Sequence, residues 1–314
     1  MPSFTASAPG KIILFGEHAV VYGQPAIAAP VAQVRATATV TPELRGNAGA
    51  VRILAPGIGL DRRLDELDST HALVAAIEGV TASLGISRLP ACTLKVTSTI
   101  PVASGLGSGA AVSVAVIRAL AGFLGHPLPD EQVSALAFEV EKIHHGTPSG
   151  IDNTVVAYAK PVYFIKQQLI ETFSISKPFT IVIGDTGIAT PTKETVGDVH
   201  AGWQADPQRY ETLFAAVGSI TRSARQAIEQ GRPDRLGPLM NESHALLVEM
   251  GVSSPELDKL VRAANEAGAS GAKLSGGGRG GNMIALAAPE QAEQIAATLQ
   301  AAGAVRMLVT EVKG

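Results

Sequence analysis

From Val96 to Ile117 the chain carries no charged side chain, and a run of that length must leave water, either as a membrane span or inside a folded core. Pro101, three glycines and several serines interrupt it, so one continuous span is disfavoured. What remains apolar on nearly every side is Ala110 to Leu124, the pattern of a helix enclosed within a core rather than lying on it. With 314 residues, 46% of them hydrophobic, the chain can bury a sizeable core, divided into two lobes. The segment therefore reads as a glycine-rich loop delivered to the N-terminus of a central helix.

Charge and cysteine content narrow the partners. A formal charge of −3 and a sequence pI near 6.2 provide no basic footprint for neutralising a nucleic-acid backbone, so nucleic acid is not an expected partner. Cys92 is the only cysteine, which excludes an intramolecular disulfide and implies no oxidising compartment. The start, Met1-Pro2-Ser3-Phe4-Thr5, lacks the basic-then-apolar pattern of a secretory signal. The expectation is a cytoplasmic protein with no membrane segment.

Short apolar runs at Phe4–Ala8 and Ile12–Phe15 around Pro9-Gly10 predict strand, tight turn, strand. Alternation in Val34–Val40 and Thr93–Thr97 predicts further strands. Pro129-Asp130 opens a helix with Val133, Leu136, Val140 and Ile143 at helical spacing, stopped by Gly146 and Pro148, and Glu141 sits half-buried beside that stripe. A strand at Thr180–Ile183 is followed by helices over Glu211–Gln230 and Asp234–Met250. The end reads as helix (Pro255–Ala267), strand (Ala272–Ser275), strand (Met283–Ala287), helix (Glu290–Ala301), strand (Val305–Val312), an α+β arrangement. The domain change is expected near Ser176–Phe179, giving a β-rich domain over 1–178 and a second over 179–314.

Four segments carry chemistry. In Pro101-Val102-Ala103-Ser104-Gly105-Leu106-Gly107-Ser108-Gly109-Ala110-Ala111, glycines let backbone approach a phosphate, and the first-turn N–H groups of the following helix favour an anion. A flexible connector is the alternative. No lysine follows the glycines and the third glycine of a dinucleotide fingerprint is misplaced, so neither of those motifs applies. In Pro9-Gly10-Lys11-Ile12-Ile13-Leu14-Phe15-Gly16-Glu17-His18-Ala19-Val20-Val21-Tyr22-Gly23, a lysine inside an apolar run needs an opposite charge or a phosphate. Otherwise Lys11 is an edge lysine with its head in water and His18 a satisfied core histidine.

The third segment, Glu141 to Asn153, holds two carboxylates in different settings, Glu141 on a helix and Asp152 after a Thr147-Pro148-Ser149-Gly150 turn. One could hold a metal and the other face a substrate hydroxyl, while a turn or helix-cap role is the competing reading for Asp152. His144-His145 is no zinc signature, since adjacent helical residues diverge. The fourth, Lys273-Leu274-Ser275-Gly276-Gly277-Gly278-Arg279-Gly280-Gly281-Asn282, has more glycines than a turn requires and suits a backbone lying close to a bound ligand, or a mobile tip.

In this order the four segments resemble the superfamily of galactokinase, homoserine kinase, mevalonate kinase and phosphomevalonate kinase (GHMP kinases). Gly16–Gly23 and Ile143–Asn153 look most like the mevalonate kinases, and Asp185-Thr186-Gly187-Ile188-Ala189-Thr190-Pro191-Thr192-Lys193 resembles the substrate-side loop. The resemblance implies a two-domain fold with a ferredoxin-like C-terminal domain. It also implies transfer of the ATP γ-phosphate to the 5-hydroxyl of mevalonate, in isoprenoid precursor synthesis, with Mg2+ as cofactor.

It further implies roles by residue. Asp152 receives the hydroxyl proton and Lys11 contacts the hydroxyl and the transferring phosphoryl group. Pro101, Ser104, Gly105, Leu106, Gly107, Ser108, Gly109, Ala110 and Ala111 hold the triphosphate, and Glu141 with Ser108 holds the metal. Glu17, His18, Thr192, Gly277 and Gly278 line the mevalonate side, together with Lys11 and Asp152. A homodimer is the family's usual state. Two residues depart from the pattern: Gly109 stands where the family usually has a second serine, and Arg279 interrupts the last glycine loop, where it could contact phosphate or point outward. A kinase of another alcohol, a related decarboxylase and a non-catalytic ligand sensor are the alternatives.

Overall fold

The structure is a computed structural model that describes residues 2–101, 104–145, 148–168 and 170–314, the side chains at 144 and 145 excepted. The chain begins with two long strands, β1 (Phe4–Phe15) and β2 (Ala26–Pro42), followed by β3 (Val51–Ala55), β4 (Leu60–Arg63), helix α1 (Ala72–Ser83) and β5 (Cys92–Ser98). Helices α2 (Ser108–Phe123), α3 (Asp130–His145) and α4 (Ile151–Tyr158) come next, then β6 (Val162–Phe164), β7 (Glu171–Thr172) and β8 (Phe179–Asp185). Four helices follow, α5 (Thr192–Ala205), α6 (Pro207–Glu229), α7 (Leu236–Glu249) and α8 (Pro255–Glu266). The chain closes with β9 (Gly271–Ser275), β10 (Asn282–Ala287), α9 (Ala292–Ala301) and β11 (Arg306–Val312).

Two compact units interleave along the chain. The first comprises residues 1–10, 31–101 and 107–159, the second 11–30, 102–106 and 160–314. In the first, β2 pairs antiparallel with β5, β5 parallel with β3, and β3 antiparallel with β4. Helix α2 packs against α1, α3, α4 and β5, and Val114, Val116, Ile117 and Leu120 on it are all buried. The central, enclosed helix expected from the apolar run is therefore present, and no helix among the described residues is long and apolar enough to cross a membrane.

In the second unit β8, β9, β10 and β11 form an antiparallel sheet in the order β11-β8-β10-β9. Numbered by occurrence this is 4-1-3-2, the ferredoxin-like order. Helix α8 shows how sequence builds its cover. Ser254 caps it by accepting from the Leu257 N–H at 3.3 Å, Pro255 occupies the first turn, and Leu257, Leu260, Val261 and Ala264 form one buried stripe. Burying each of the larger apolar side chains contributes about 1.5–3 kcal/mol.

Helix α7 lies against β9, where Gly237 and Gly271 meet so closely that a Cβ on either would overlap the other's neighbourhood. From α7, Asn241 Oδ1 accepts from the Ala272 N–H at 2.9 Å and His244 Nδ1 from the Leu274 N–H at 3.4 Å. Both are outward amides of a strand that, among the described residues, pairs only with β10.

Three local expectations are corrected. Pro9-Gly10 makes no turn, because β1 is one twelve-residue strand buried without interruption from Ala8 to Phe15. Among the described residues it pairs with β2 alone, so Pro9, lacking an N–H, sits on a strand with one strand neighbour there. Strand β2 runs seventeen residues, starting at Ala26 rather than Val34. Glu141 is buried rather than half-buried, since α3 packs against α1, α2 and α4.

Candidate functional site

The second unit gathers several of the singled-out segments around β1. The Lys11 N–H donates to the Leu106 carbonyl at 2.9 Å, joining the strand to the 104–106 part of the first glycine loop. Asn282, at the start of β10, donates from Nδ2 to the Ser104 carbonyl on the other side of that loop. Gly105 (φ 76°) and Gly107 (φ 73°) both adopt left-handed backbone, and a Cβ on Gly105 would stand 3.3 Å from Asn282 Nδ2. Ser275 Oγ accepts from the Ile13 N–H at 3.2 Å and donates to the Ile13 carbonyl at 2.8 Å.

The segment 185–193 is fastened to the same place. Thr186 N–H and Oγ1 both donate to the Gly281 carbonyl, at 2.9 and 3.0 Å, the Gly281 N–H donates to Ile188, and Thr190 Oγ1 donates to the Arg279 carbonyl. The second glycine loop is thus tied down on several sides and is not a mobile tip. Thr192 is exposed at the first position of α5, where its Oγ1 would stand 3.1 Å from a Cβ on Gly277. Gly278 has φ 78°, and a Cβ there would overlap the Val252 carbonyl.

Lys11 is only 4% exposed, which removes the reading of an edge lysine with its head in water. Glu17 forms an ion pair with Lys273, both side chains fully enclosed, and the Lys273 ammonium also donates to the Leu274 carbonyl at 2.6 Å. Burial pushes the Lys273 pKa down, with the Glu17 carboxylate opposing that shift.

Next to Glu17, His18 is buried and sits at φ 58°, ψ −51°, with the Ala19 N–H donating to the Glu17 carbonyl at 2.6 Å. This is a γ-turn of the rarer, strained hand, costing about 1–3 kcal/mol. His18 Nε2 donates to the Gly277 carbonyl at 3.0 Å, so in the neutral ring Nδ1 is an acceptor. Nδ1 is enclosed and has no hydrogen-bond partner among the described residues, so His18 is not a fully satisfied core histidine. Burial depresses its pKa to about 4, opposed by the Gly277 hydrogen bond and reinforced by Arg279 and Lys273.

Arg279, also in left-handed backbone (φ 57°), sends its guanidinium to Asp198 on α5 and, at 3.3 Å, to the Gly251 carbonyl. Its guanidinium is thus held by α5 and by the carbonyl of Gly251.

The first unit holds the remaining residues. Helix α2 starts at Ser108 with Gly107 as an N-cap that offers no side chain; the Ala111 N–H donates to the Gly107 carbonyl at 2.9 Å, and the N–H groups of the turn before it are the ones an anion could meet. Around Gly109 a Cβ would meet nothing within 4 Å. Glu141 lies buried in the last turn and a half of α3. Asp152 is half-buried in the first turn of α4, whose N-cap is Gly150 at φ 93°, so it is no N-cap itself.

Asn153 locks α4 to α3, donating to the Ser134 carbonyl at 3.0 Å and to Ser134 Oγ at 2.9 Å. The described residues contain no cluster of three or more His, Cys, Asp or Glu able to hold a metal. A glycine-capped helix start fits a polyphosphate. Val102, Ala103, Gly146, Thr147 and the His144-His145 side chains lie outside the described residues.

Sequence reasoning gave Lys273 and Asn282 no role. Lys273 interrupts a short apolar strand as Lys11 does, and that shared signal could have found it. Asn282 follows the glycines without any mark of its own.

Comparison with known proteins identifies the family. Residues 71–160 match the GHMP kinases N terminal domain and residues 224–305 the GHMP kinases C terminal domain. The mevalonate kinase of Thermococcus gammatolerans is 38% identical over 98% of this chain and 95% of its own length. A crystal structure of L. major mevalonate kinase in complex with R-mevalonate superposes with a TM-score of 0.83 at 32% identity, covering 98% of this chain and 95% of that one. The mevalonate kinase of methicillin-resistant Staphylococcus aureus MRSA252 gives 0.74 at 30% identity over the full length of both. With a fold of this order and relatives of this similarity along its whole length, the chain belongs to the mevalonate kinase family of GHMP kinases.

Proposed function

We propose that this chain transfers the γ-phosphoryl group of ATP to the 5-hydroxyl of mevalonate, giving 5-phosphomevalonate and ADP. The observation that carries the reading is the similarity, along nearly the whole chain, to curated mevalonate kinases and to a structure holding R-mevalonate. Asp152 takes the proton of the 5-hydroxyl as its oxygen forms a bond to the γ-phosphorus, while the bond to the β,γ-bridging oxygen breaks and its electron pair leaves with ADP. Lys11 holds the hydroxyl and the transferring group by charge. Phosphoryl transfer rests mainly on such positioning and neutralisation.

The triphosphate lies along Pro101, Ser104 to Leu106 and Gly107 to Ala111. Mg2+, held by Glu141 and Ser108, neutralises phosphate charge when bound. Its support here is a buried carboxylate on α3 and a hydroxyl at the open start of α2. His18, Thr192, Gly277 and Gly278 face the acceptor. The protein acts in the cytoplasm, on a small molecule, as a homodimer.

An ADP-release assay with Mg-ATP and mevalonate, phosphomevalonate, homoserine and galactose, with product mass recorded, tests the reading. Turnover should be confined to mevalonate, with one phosphate gained. Loss of CO2 would instead identify a decarboxylase, and silence on all four substrates with ligand still bound would identify a sensor. Asp152→Asn should leave ATP affinity within about twofold while lowering kcat by at least about a hundredfold. An equal loss of both would make the aspartate structural.

A further inference from the structure

We infer that Lys273 is a positioning residue of this kinase, holding the Gly16–Tyr22 turn in its strained shape through a buried ion pair with Glu17. The inference rests on the proposed function for what the turn is held for, and on geometry alone for the holding. His18 occupies the centre of a γ-turn that side chains rarely adopt, and such a conformation persists only where its surroundings over-determine it.

Two contacts do so. On one side Glu17 is clamped to Lys273 on β9, with side-chain exposure of 0% for both. On the other, the His18 ring is tied to the Gly277 carbonyl at 3.0 Å. Both anchors belong to one stretch of chain, so the turn is pinned at adjacent residues to a single short segment. Behind the turn, Tyr22 stacks on Phe214 with ring centroids 4.0 Å apart and also meets Trp203.

The pair has a direction. Lys273 donates both to Glu17 and to the Leu274 carbonyl, so the ammonium is fixed by its own strand and the turn is what it fixes. Glu17 Oε2 is enclosed and without a hydrogen-bond partner among the described residues, so the contact with Lys273 is what holds this carboxylate. This assigns Glu17 to the placement of His18. The outcome is an enclosed imidazole whose acceptor nitrogen has a set direction, a feature that can select a hydroxyl donor.

The test compares wild type with Glu17→Gln, Lys273→Met and the double variant. Lys273→Met alone leaves a buried carboxylate without its cation and should unfold at lower temperature. The double variant removes both charges and should recover most of that loss, since neutral replacement of a buried pair is tolerated. Even so, its KM for mevalonate should rise by about tenfold or more while its KM for ATP stays within about twofold. Should the double variant be too unstable to assay, Glu17→Gln, which replaces the ion pair by a neutral hydrogen bond and so weakens the clamp, carries the KM comparison, with a smaller rise expected for mevalonate and none for ATP.

A folded variant with wild-type KM for mevalonate, or one that loses both substrates equally, would overturn the inference. Hydrogen exchange at the Ala19, Val20 and Val21 amides, read without substrate, should quicken in the double variant. Unchanged exchange overturns the inference whatever the substrate proves to be, whereas a wild type silent on mevalonate overturns only the proposed function.

Discussion

At the scale of single residues, the site depends on groups whose surroundings are unusual for their type. His18 is held neutral by burial, with Arg279 and Lys273 adding to the effect, and its pKa of about 4 lies below the ordinary 6.5. As pH falls below 6.5 the unfolded chain takes up a proton that the folded chain refuses, so stability declines until about pH 4. The loss reaches about 3 kcal/mol for this shift, and the depressed pKa of His244 acts in the same direction. Urea unfolding of wild type and His18→Gln at pH 7.5 and 5.0 should show the wild type losing more between the two.

Gly109 makes the opposite case, since its vacant space can take a side chain. Gly109→Ser should stabilise by up to about 0.5 kcal/mol through helix propensity and lower the Mg2+ concentration giving half-maximal rate. A raised requirement would mean that the new hydroxyl obstructs the phosphates.

At the scale of elements, glycines that look alike in sequence are under different constraints. Gly278 combines a left-handed φ with a Cβ path blocked by the Val252 carbonyl, which itself accepts from the Arg279 N–H at 2.9 Å. Gly278→Ala should therefore destabilise by at least about 2 kcal/mol, measured by urea unfolding. The helix–strand–strand–helix–strand ending was legible because Pro255, the glycine loop and Pro289 punctuate it at its joints.

The strands β3 and β4, of five and four residues, are too short for alternation to mark them in the sequence. Pro9-Gly10 misled because local turn chemistry says nothing of a partner strand. The four glycine-bearing and charged segments were legible in their order, but the Glu17–Lys273 pair was not. Its members stand 256 positions apart, and only folding makes them neighbours.

At the scale of the molecule, the two units share long strands, as β1 and β2 each run from one unit into the other. Neither unit can lose its share of a strand without disturbing the same strand in the other. The chain carries one probe for each. Cys92, buried on β5 of the first unit with its pKa pushed up to about 11 by burial and by Glu43, should not react with thiol reagents while folded. Trp203, the single tryptophan, sits in the second unit beside Tyr22 and His200. In denaturant, Cys92 labelling and Trp203 fluorescence should give coincident transitions. Two separated midpoints would show that the units unfold independently.

The side chains of α7 that meet β9 bear on how this protein behaves when crowded. A strand with one neighbour offers bare backbone on its other side, and bare backbone invites a second molecule to continue the sheet. Here the outward amides of Ala272 and Leu274 are already spoken for by Asn241 and His244. The sheet ends at that margin because its last donors are occupied, so a concentrated solution finds no template there on which to grow a fibre.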